Sequence, residues 1–303
     1  MQLLSPSRAP RLTFAAALAA CSLAMVPAQA LAQTPSAAAE AADLGYSYLL
    51  GLARMDHTYR EFPRSLPVQS KVRTSSPMLA TGALYAVHPG LLFSLSSEVT
   101  YFPDTARETW TATGASFNGI TLTDRVLQTN QASFSHSDTR LHGLYRVNDQ
   151  GFVVGGPSVR TQSFRRHSFE VGADNAVTLP QSTTVEETST EVLLSLGLGV
   201  ESGGVKGRSS HYSARALVSV PMIRKVENTN HPGVTFDGTR GYDLSLEGRY
   251  SLAVHPGMHV GLWGRWSTLR RSAQSQTSGT TALELPRHEQ SALGYGIELL
   301  WKL

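Results

Sequence analysis

The chain has 303 residues, of which 16% are charged and 41% hydrophobic, and its formal net charge is +3. About a quarter of the residues of a soluble protein are charged, so this chain is poor in charge. Such a small charge gives no reason to expect nucleic acid as a partner. No stretch after the first thirty residues is apolar enough for a membrane helix, which needs roughly twenty such residues.

Residues 1–32 are predicted to be a signal peptide. Arg8 and Arg11 precede an apolar run, and small residues at alternate positions indicate cleavage after Ala32. An alternative is a lipoprotein signal, because the residues before Cys21 also fit the sequence that precedes lipid attachment. Cleavage after Ala32 removes the single cysteine of the chain, which excludes disulfides and thiolate metal sites from the mature protein.

Residues 33–43 are predicted to be a flexible lead-in, and residues 44–303 an all-β, transmembrane, antiparallel up-and-down barrel. From Leu44 onward apolar and polar residues alternate with period two, most clearly from Leu293 to Leu303. Such a barrel turns its apolar face to lipid and its polar face to the lumen, and short turns alternate with long outer loops. The predicted loops are residues 58–76, 103–130, 164–186, 224–240 and 270–288. The predicted strand cores are residues 44–54, 78–87, 91–102, 131–147, 152–163, 190–201, 209–222, 241–254, 258–268 and 291–303.

These cores predict ten strands, an even number that places both termini on the periplasmic side. Twelve strands is the alternative, with extra hairpins at residues 114–118 and 172–175. Pro157 lacks the backbone donor that a closed barrel requires, so we expect a bulge at the preceding Gly155 and Gly156.

The last strand carries a resemblance to a known class of proteins. Gly296, Leu299 and Trp301 resemble the carboxy-terminal signal of outer-membrane barrels inserted by the Bam machinery, although this chain ends in Lys302 and Leu303 instead of an aromatic residue. The resemblance implies a place in the outer membrane of a Gram-negative bacterium. It also implies outer-membrane lipids and lipopolysaccharide as surroundings, and the barrel assembly machinery as a partner during insertion.

Strand parity places many charged residues in the lumen. We expect Glu98 with Arg140, and Arg215 with Glu247, on neighbouring strands. The lumen is then either a plug of paired charges, because an unpaired buried charge is costly, or a constriction that selects anions. The predicted lumen charge network is Glu98, Arg140, Arg160, Arg215, Glu247, Arg249, Arg265 and Glu298.

Two groups of residues are weak catalytic candidates. His211 and Ser213 resemble the His-x-Ser element of barrel-borne lipid A deacylases, with Glu247 as a third member. His136 and Asp138 resemble the histidine and aspartate of omptin proteases, in reversed order.

A rim cluster of Asp56, His57 and Glu61 lacks the ligand spacing of a metal site, so neither a metal nor a cofactor is expected. The sequence favours a barrel without catalytic activity, either a small pore or a loop-displaying surface protein. A rim-site hydrolase is the alternative, and the ligand or solute is unknown.

Overall fold

The structure is a computed structural model that describes residues 48–64, 66–88, 90–117, 120–172, 184–202, 205–278 and 281–302. The predicted signal peptide, the lead-in and residues 44–47 lie outside these ranges. No helix in the described ranges is long and apolar enough to cross a membrane. The strands are β1 (Tyr48–Phe62), β2 (Val68–His88), β3 (Leu91–Thr100), β4 (Thr105–Phe117), β5 (Ile120–Arg146), β6 (Gly151–Val171), β7 (Thr184–Glu201), β8 (Ser210–Asn228), β9 (Thr235–Asp237), β10 (Gly241–His255), β11 (Met258–Arg271), β12 (Gln274–Ser278), β13 (Thr281–Leu285) and β14 (Arg287–Trp301).

Ten of these strands form a closed antiparallel ring. Its order is β1-β2-β3-β5-β6-β7-β8-β10-β11-β14, and β1 closes the ring because it pairs with both β2 and β14. Closure gives every strand two neighbours, so that no edge is left for its backbone groups in a membrane. The prediction of a ten-stranded antiparallel barrel is confirmed.

The strands extend beyond the predicted cores, and much of the chain that was predicted to be loop is strand. β5 has 27 residues, whereas a tilted strand needs only about 9–11 residues to cross a bilayer. The apolar alternation used for the prediction marks only the lipid-facing part, because outward positions above the membrane are polar. The barrel wall therefore continues well past the membrane on the side of the long connections.

The twelve-stranded alternative is wrong. Residues 105–117 do form an extra strand, β4, but it pairs with the outer parts of β2 and β5, above the end of β3 at Thr100. It therefore lengthens the wall without adding to the ring at the level of the membrane. The second proposed hairpin, at residues 172–175, lies outside the described residues from 173 onward.

The prediction of a bulge before Pro157 is wrong, because the register of β5 with β6 does not shift there. Pairing of β5 with β6 stops after Arg140 and Ser158, skips two residues on each strand, and resumes at Gly143 and Gly155 in the same register. Gly156 has a φ of 152°, and a Cβ atom on it would lie 2.2 Å from the carbonyl oxygen of Leu141. The missing donor of Pro157 is thus accommodated by a gap in the ladder that only glycine permits at this position.

The two faces of the wall differ as a membrane barrel requires. Large apolar side chains point outward and are exposed, for example Leu196, Leu198 and Leu262, each about two thirds exposed (64%, 65% and 65%). Charged and polar side chains point inward and are buried, among them Asp138 and Arg160. Exposed leucines in a continuous band are costly in water but stable in lipid, so this band marks the membrane-spanning part.

Candidate functional site

The lumen is crossed by a charge belt, which we define as Glu98, Asp138, Arg140, Arg160, Glu191, Arg224, Asp243, Arg265 and Arg271. Five of its members form one row on adjacent strands, since the register pairs Glu98 with Asp138, Asp138 with Arg160, Arg160 with Glu191, and Glu191 with Arg224. The row runs from β3 to β8, around half of the barrel. Arg140 lies two residues from Asp138 on β5, and the other three members come from β10 and β11.

Three pairs of belt residues form hydrogen bonds between strands that are not neighbours in the ring. Arg160 on β6 donates to Asp243 on β10. Arg265 on β11 donates to Glu98 on β3 at 2.7 Å, and Arg271 on β11 donates to Glu191 on β7 at 2.6 and 2.7 Å. At least two strands separate the partners of each pair. These ion pairs therefore span the lumen and do not run along its wall.

Contacts between neighbouring strands complete the belt. Arg140 donates to both oxygens of Glu98, at 3.2 and 2.9 Å, and to Asp138 at 2.9 Å. Arg160 also reaches Asp138, at 3.2 Å. Shared carboxylates in this geometry offset the desolvation of the arginines, which would be costly for any one of them alone.

Below the belt, Glu247, Arg249 and Glu298 form a smaller group. Arg249 lies 2.8 Å from Glu247 and 2.7 Å from Glu298, and Glu247 is 3.8 Å from Arg140. Arg215, which was expected on the strand next to Glu247, is directly opposite it in the register. This group continues the paired charges toward the end of the barrel that has short turns.

A cluster of buried apolar side chains, which we call the apolar floor, lies at that end of the lumen. Val205, from the connection between β7 and β8, is fully buried, and its carbonyl oxygen contacts His259 Nε2 at 2.8 Å. A short connection thus folds under the lumen. The apolar floor consists of Leu49, Leu84, Leu92, Leu144, Phe152, Val154, Val205 and Leu300, all buried in one cluster.

The opposite end opens into an outer vestibule, a cavity of about 470 Å³ whose lining includes Glu61, Trp110, Gln128, Arg166 and Glu187. Arg166 donates to Glu61 at 2.8 Å and lies 5.4 Å from the centre of the Trp110 ring. Burial and the neighbouring Glu61 raise the pKa of the Glu187 carboxyl to about 7. The vestibule is therefore a large concave surface that combines charged and apolar walls.

The structure places the weak catalytic candidates apart. His211 is fully buried and lies opposite Ser251 in the register, Ser213 opposite Arg249, and Glu247 opposite Arg215. Glu247 is therefore four positions along the ladder from the His211 pair, and its carboxylate contacts two arginines. This arrangement does not provide the base and orienting group of a catalytic triad.

The second candidate pair is divided between two layers of the lumen. Asp138 belongs to the charge belt, while His136 lies above it, 3.5 Å from Gln162. The proposed rim cluster is also split by strand parity. Asp56 points outward and binds Ser75, whereas His57 and Glu61 are buried inside. No group of three or more potential metal ligands occurs in the part of the chain that the structure describes.

Several charged residues of the lumen were missed from the sequence. Arg166, Arg224 and Arg271 fall in or next to stretches that were taken as loops, yet each continues the inward parity of a strand. The signal that could have found them is the period of two, which persists after the outward positions become polar. It is weak there because both faces of the wall are polar above the membrane.

No protein-family model matches the chain, and no curated protein matches it. Among solved structures, the outer membrane protease OmpT from Escherichia coli is similar, with 10% identity and a TM-score of 0.59 over 91% of this chain and 99% of that one. The transport unit of the autotransporter AIDA-I from Escherichia coli has 8% identity and a TM-score of 0.40, over 94% and 97% of the two chains. At such low identity the likeness to OmpT concerns the fold and not the activity. The chain therefore has the fold of the bacterial outer-membrane β-barrel proteins, with about ten antiparallel strands closed into a ring.

Proposed function

We propose that this protein is a sealed outer-membrane barrel that acts at the cell surface as a loop-displaying binding protein, and not as a pore. The observation that carries the proposal is the set of ion pairs across the lumen, from Arg160 to Asp243, from Arg265 to Glu98 and from Arg271 to Glu191. Ion conduction needs a continuous hydrated path. Guanidinium and carboxylate groups in direct contact across the lumen support a closed lumen at this level.

The apolar floor supports the same proposal independently. A water-filled channel has a polar interior, whereas the lumen near the short turns also contains a cluster of buried apolar side chains that includes Leu92, Leu144 and Leu300. Two barriers of different chemistry therefore lie in series. A fluctuation that opens one of them leaves the other closed.

The lengths of the connections support an orientation in which the short turns face the periplasm. Tyr48, at the start of β1, pairs with Trp301, at the end of β14, so both termini lie at the same end as the short turns. In bacterial barrels of this kind short turns face the periplasm. The outer vestibule and the long strand extensions then face the outside, where lipopolysaccharide surrounds the barrel and ligands arrive.

The candidate catalytic residues give no support to a rim-site hydrolase. Asp138 is held by arginines within the belt, and His211 is buried near the apolar floor. The outer vestibule, by contrast, presents Glu187 and Arg166 beside the Trp110 and Phe169 side chains. Such a mixed wall is suited to binding a small ligand or a segment of a partner.

Single-channel recording in planar bilayers tests the proposal. The purified protein should be folded, as shown by a band that moves faster on a detergent gel before boiling than after it. After addition to the bilayer it should give no conductance steps above those of the bare bilayer. Defined, reproducible conductance steps from the wild-type protein would refute the sealed lumen.

A further inference from the structure

The outer surface of the wall, beyond the lipid-facing band, has an uneven distribution of charge. Four consecutive strands of the ring, β2, β1, β14 and β11, carry exposed basic side chains that point outward. Among the described residues of the same stretch, Glu289 is the only outward carboxylate. We call this part of the wall the basic face, and its basic residues are Arg60, Lys71, Arg73, Arg270 and Arg287.

The strand register places most of this charge in one row. Arg60 is opposite Lys71 on one side and opposite Glu289 on the other, and Glu289 is opposite Arg270. Like charges directly opposite each other destabilise a sheet. Among the described residues, only Arg270 of this row forms an ion pair, at 3.7 Å from Glu289. The row therefore favours negative charge brought from outside the protein.

The far side of the ring has the opposite balance of charge. Arg165 on β6 is opposite Glu186 on β7, and Lys225 on β8 is opposite Asp237 on β9. Glu227 is a further exposed carboxylate on the outside of β8. The excess of positive charge is thus confined to one side of the barrel and is not a general property of its outer end.

The basic face lies just outside the hydrocarbon region. Leu293 on β14 and Trp266 on β11, with exposures of 50% and 41%, are the outermost large apolar side chains on the outside of these strands. Glu289 and Arg270 follow four residues further along, a rise of roughly 10 Å for a tilted strand. The headgroup region adds about 5–8 Å to each side of the hydrocarbon, and long basic side chains extend toward it. The guanidinium groups therefore reach the level of lipid headgroups.

An exposed aromatic residue marks the same boundary on the other side of the basic face. Phe102, which follows the end of β3, is 78% exposed. The amide of its neighbour Tyr101 donates to the carbonyl oxygen of Pro77 on β2, at 3.2 Å, and Pro77 is four residues from Arg73 along that strand. Aromatic girdles of this kind lie at the interfaces of membrane barrels. The basic face is thus close to the hydrocarbon boundary along its whole width.

A concave pocket of about 300 Å³ lies within the basic face. Its lining includes Tyr242, Arg270, Ser272, Arg287 and Glu289. The Arg270 side chain is 59% exposed and Arg287 is exposed as well, so both guanidinium groups are accessible from outside. Guanidinium groups bind phosphate through two parallel hydrogen bonds, which makes arginine well suited to phosphate recognition. The pocket therefore offers a place for one phosphate group.

We propose that the basic face binds the phosphate groups of one lipopolysaccharide molecule in the outer leaflet. One phosphate lies between Arg270 and Arg287, and the second lies near Arg60 and Lys71. Lys71 and Arg270 are three strands apart, roughly 14 Å, so a phosphate at each end of an acylated sugar pair spans the row. The acyl chains then pack on the apolar side chains nearer the membrane, such as Leu293.

The site lies on the outer wall, away from the outer vestibule. Its natural occupant rests on the proposed orientation, because only the outer leaflet holds lipopolysaccharide, but it does not rest on a sealed lumen. Binding of lipid added in detergent depends on neither orientation nor conductance. Channel steps from the wild type would therefore refute the sealed lumen and leave this site standing.

Native mass spectrometry of the protein in nonionic detergent tests the proposal without any variant. Titration with diphosphoryl lipid A, the acylated sugar pair with both phosphates, should show one tightly bound molecule. The Kd should be at least about tenfold lower than for the same lipid A after removal of its phosphates, because two basic residues at a lipid surface each contribute about fivefold. Equal affinity for the two lipids would overturn the proposal.

A pair of double variants locates the site. Arg60→Gln combined with Arg270→Gln should weaken the binding of diphosphoryl lipid A by about 10–30-fold. Arg165→Gln combined with Lys225→Gln removes two exposed positive charges from the far side of the ring and is the matched control. Its effect should stay within about twofold, because charges farther away than a Debye length are screened. All four residues are exposed, so both variants should fold and keep the faster gel migration before boiling.

Two further outcomes would overturn the proposal. Equal losses of affinity in the two double variants would show that lipid A responds to total charge and not to the basic face. Displacement of lipid A by millimolar inorganic phosphate would show that the site takes a free anion and not a phosphorylated lipid.

Discussion

The ion pairs of Glu98 allow the coupling free energy of a cross-lumen contact to be compared with that of a contact along the wall. Glu98 takes Arg140 at 2.9 and 3.2 Å and Arg265 at 2.7 Å, and all three side chains are buried. Removal of one member of a buried ion pair costs about 3–5 kcal/mol, because it leaves an uncompensated charge. We expect Glu98→Gln to lower the free energy of unfolding by about this amount.

The two arginines should differ in how much of this loss they account for. Without Glu98, Arg140 keeps Asp138 at 2.9 Å, whereas Arg265 keeps only a 3.8 Å contact with Asp138. Adding Arg265→Gln to Glu98→Gln should therefore recover more stability than adding Arg140→Gln. In double-mutant cycles the coupling of Glu98 with Arg265 should be about 1–3 kcal/mol and should exceed the coupling with Arg140.

The assay is reversible unfolding in urea with the protein in lipid vesicles or detergent micelles. Glu170→Gln, which removes an exposed pair with Arg107, is the matched control and should cost less than about 1 kcal/mol. Equal coupling to both arginines, or a Glu98→Gln effect no larger than that of the control, would show that the charges do not meet across the lumen.

Three further results are expected. The pKa of Glu187 is raised to about 7, so the folded protein holds a proton that the unfolded chain releases near pH 4.5. The free energy of unfolding should therefore fall by about 3 kcal/mol between pH 4.5 and 7. Urea unfolding of Glu187→Gln should lack this fall, and an unchanged dependence of the unfolding free energy on pH would show that Glu187 is not its source. Leu262→Arg should lower the free energy of unfolding by about 2–4 kcal/mol, because it places a charge in the lipid-facing band. Thr268→Arg, six residues nearer the outer end of the same strand, should lower it by about 0–1 kcal/mol. Equal losses would mean that the position of the membrane along the barrel is wrongly assigned. On cell fractionation the protein should separate with the outer membrane, and recovery in the soluble periplasm would contradict the proposed location.

The sequence alone determined the class of fold and predicted ten strands with twelve as the alternative. Alternation with period two is a local property, since each side chain's direction depends only on its neighbours in the strand. The residues from Leu293 to Trp301 show it directly, and the structure turns Leu293, Tyr295 and Ile297 outward. Tight turns are local too, as at Asn148, whose side-chain oxygen accepts the amide hydrogens of Gln150 and Gly151. For the same reason neighbouring strands were assigned correctly from chain order.

Only the tertiary structure decided which charges meet. Arg140 and Glu98 lie on adjacent strands, so counting along the chain brings them near each other. Arg265 and Glu98 are separated by 167 positions in the chain and by three strands in the ring, and their contact depends on the register of every strand pair between them. A shift of one register step moves an inward residue to the outside, and this information is not contained in any one strand. The ion pairs on which the proposed sealing of the lumen rests are a property of the closed ring, because each pair needs the whole barrel to bring its partners together.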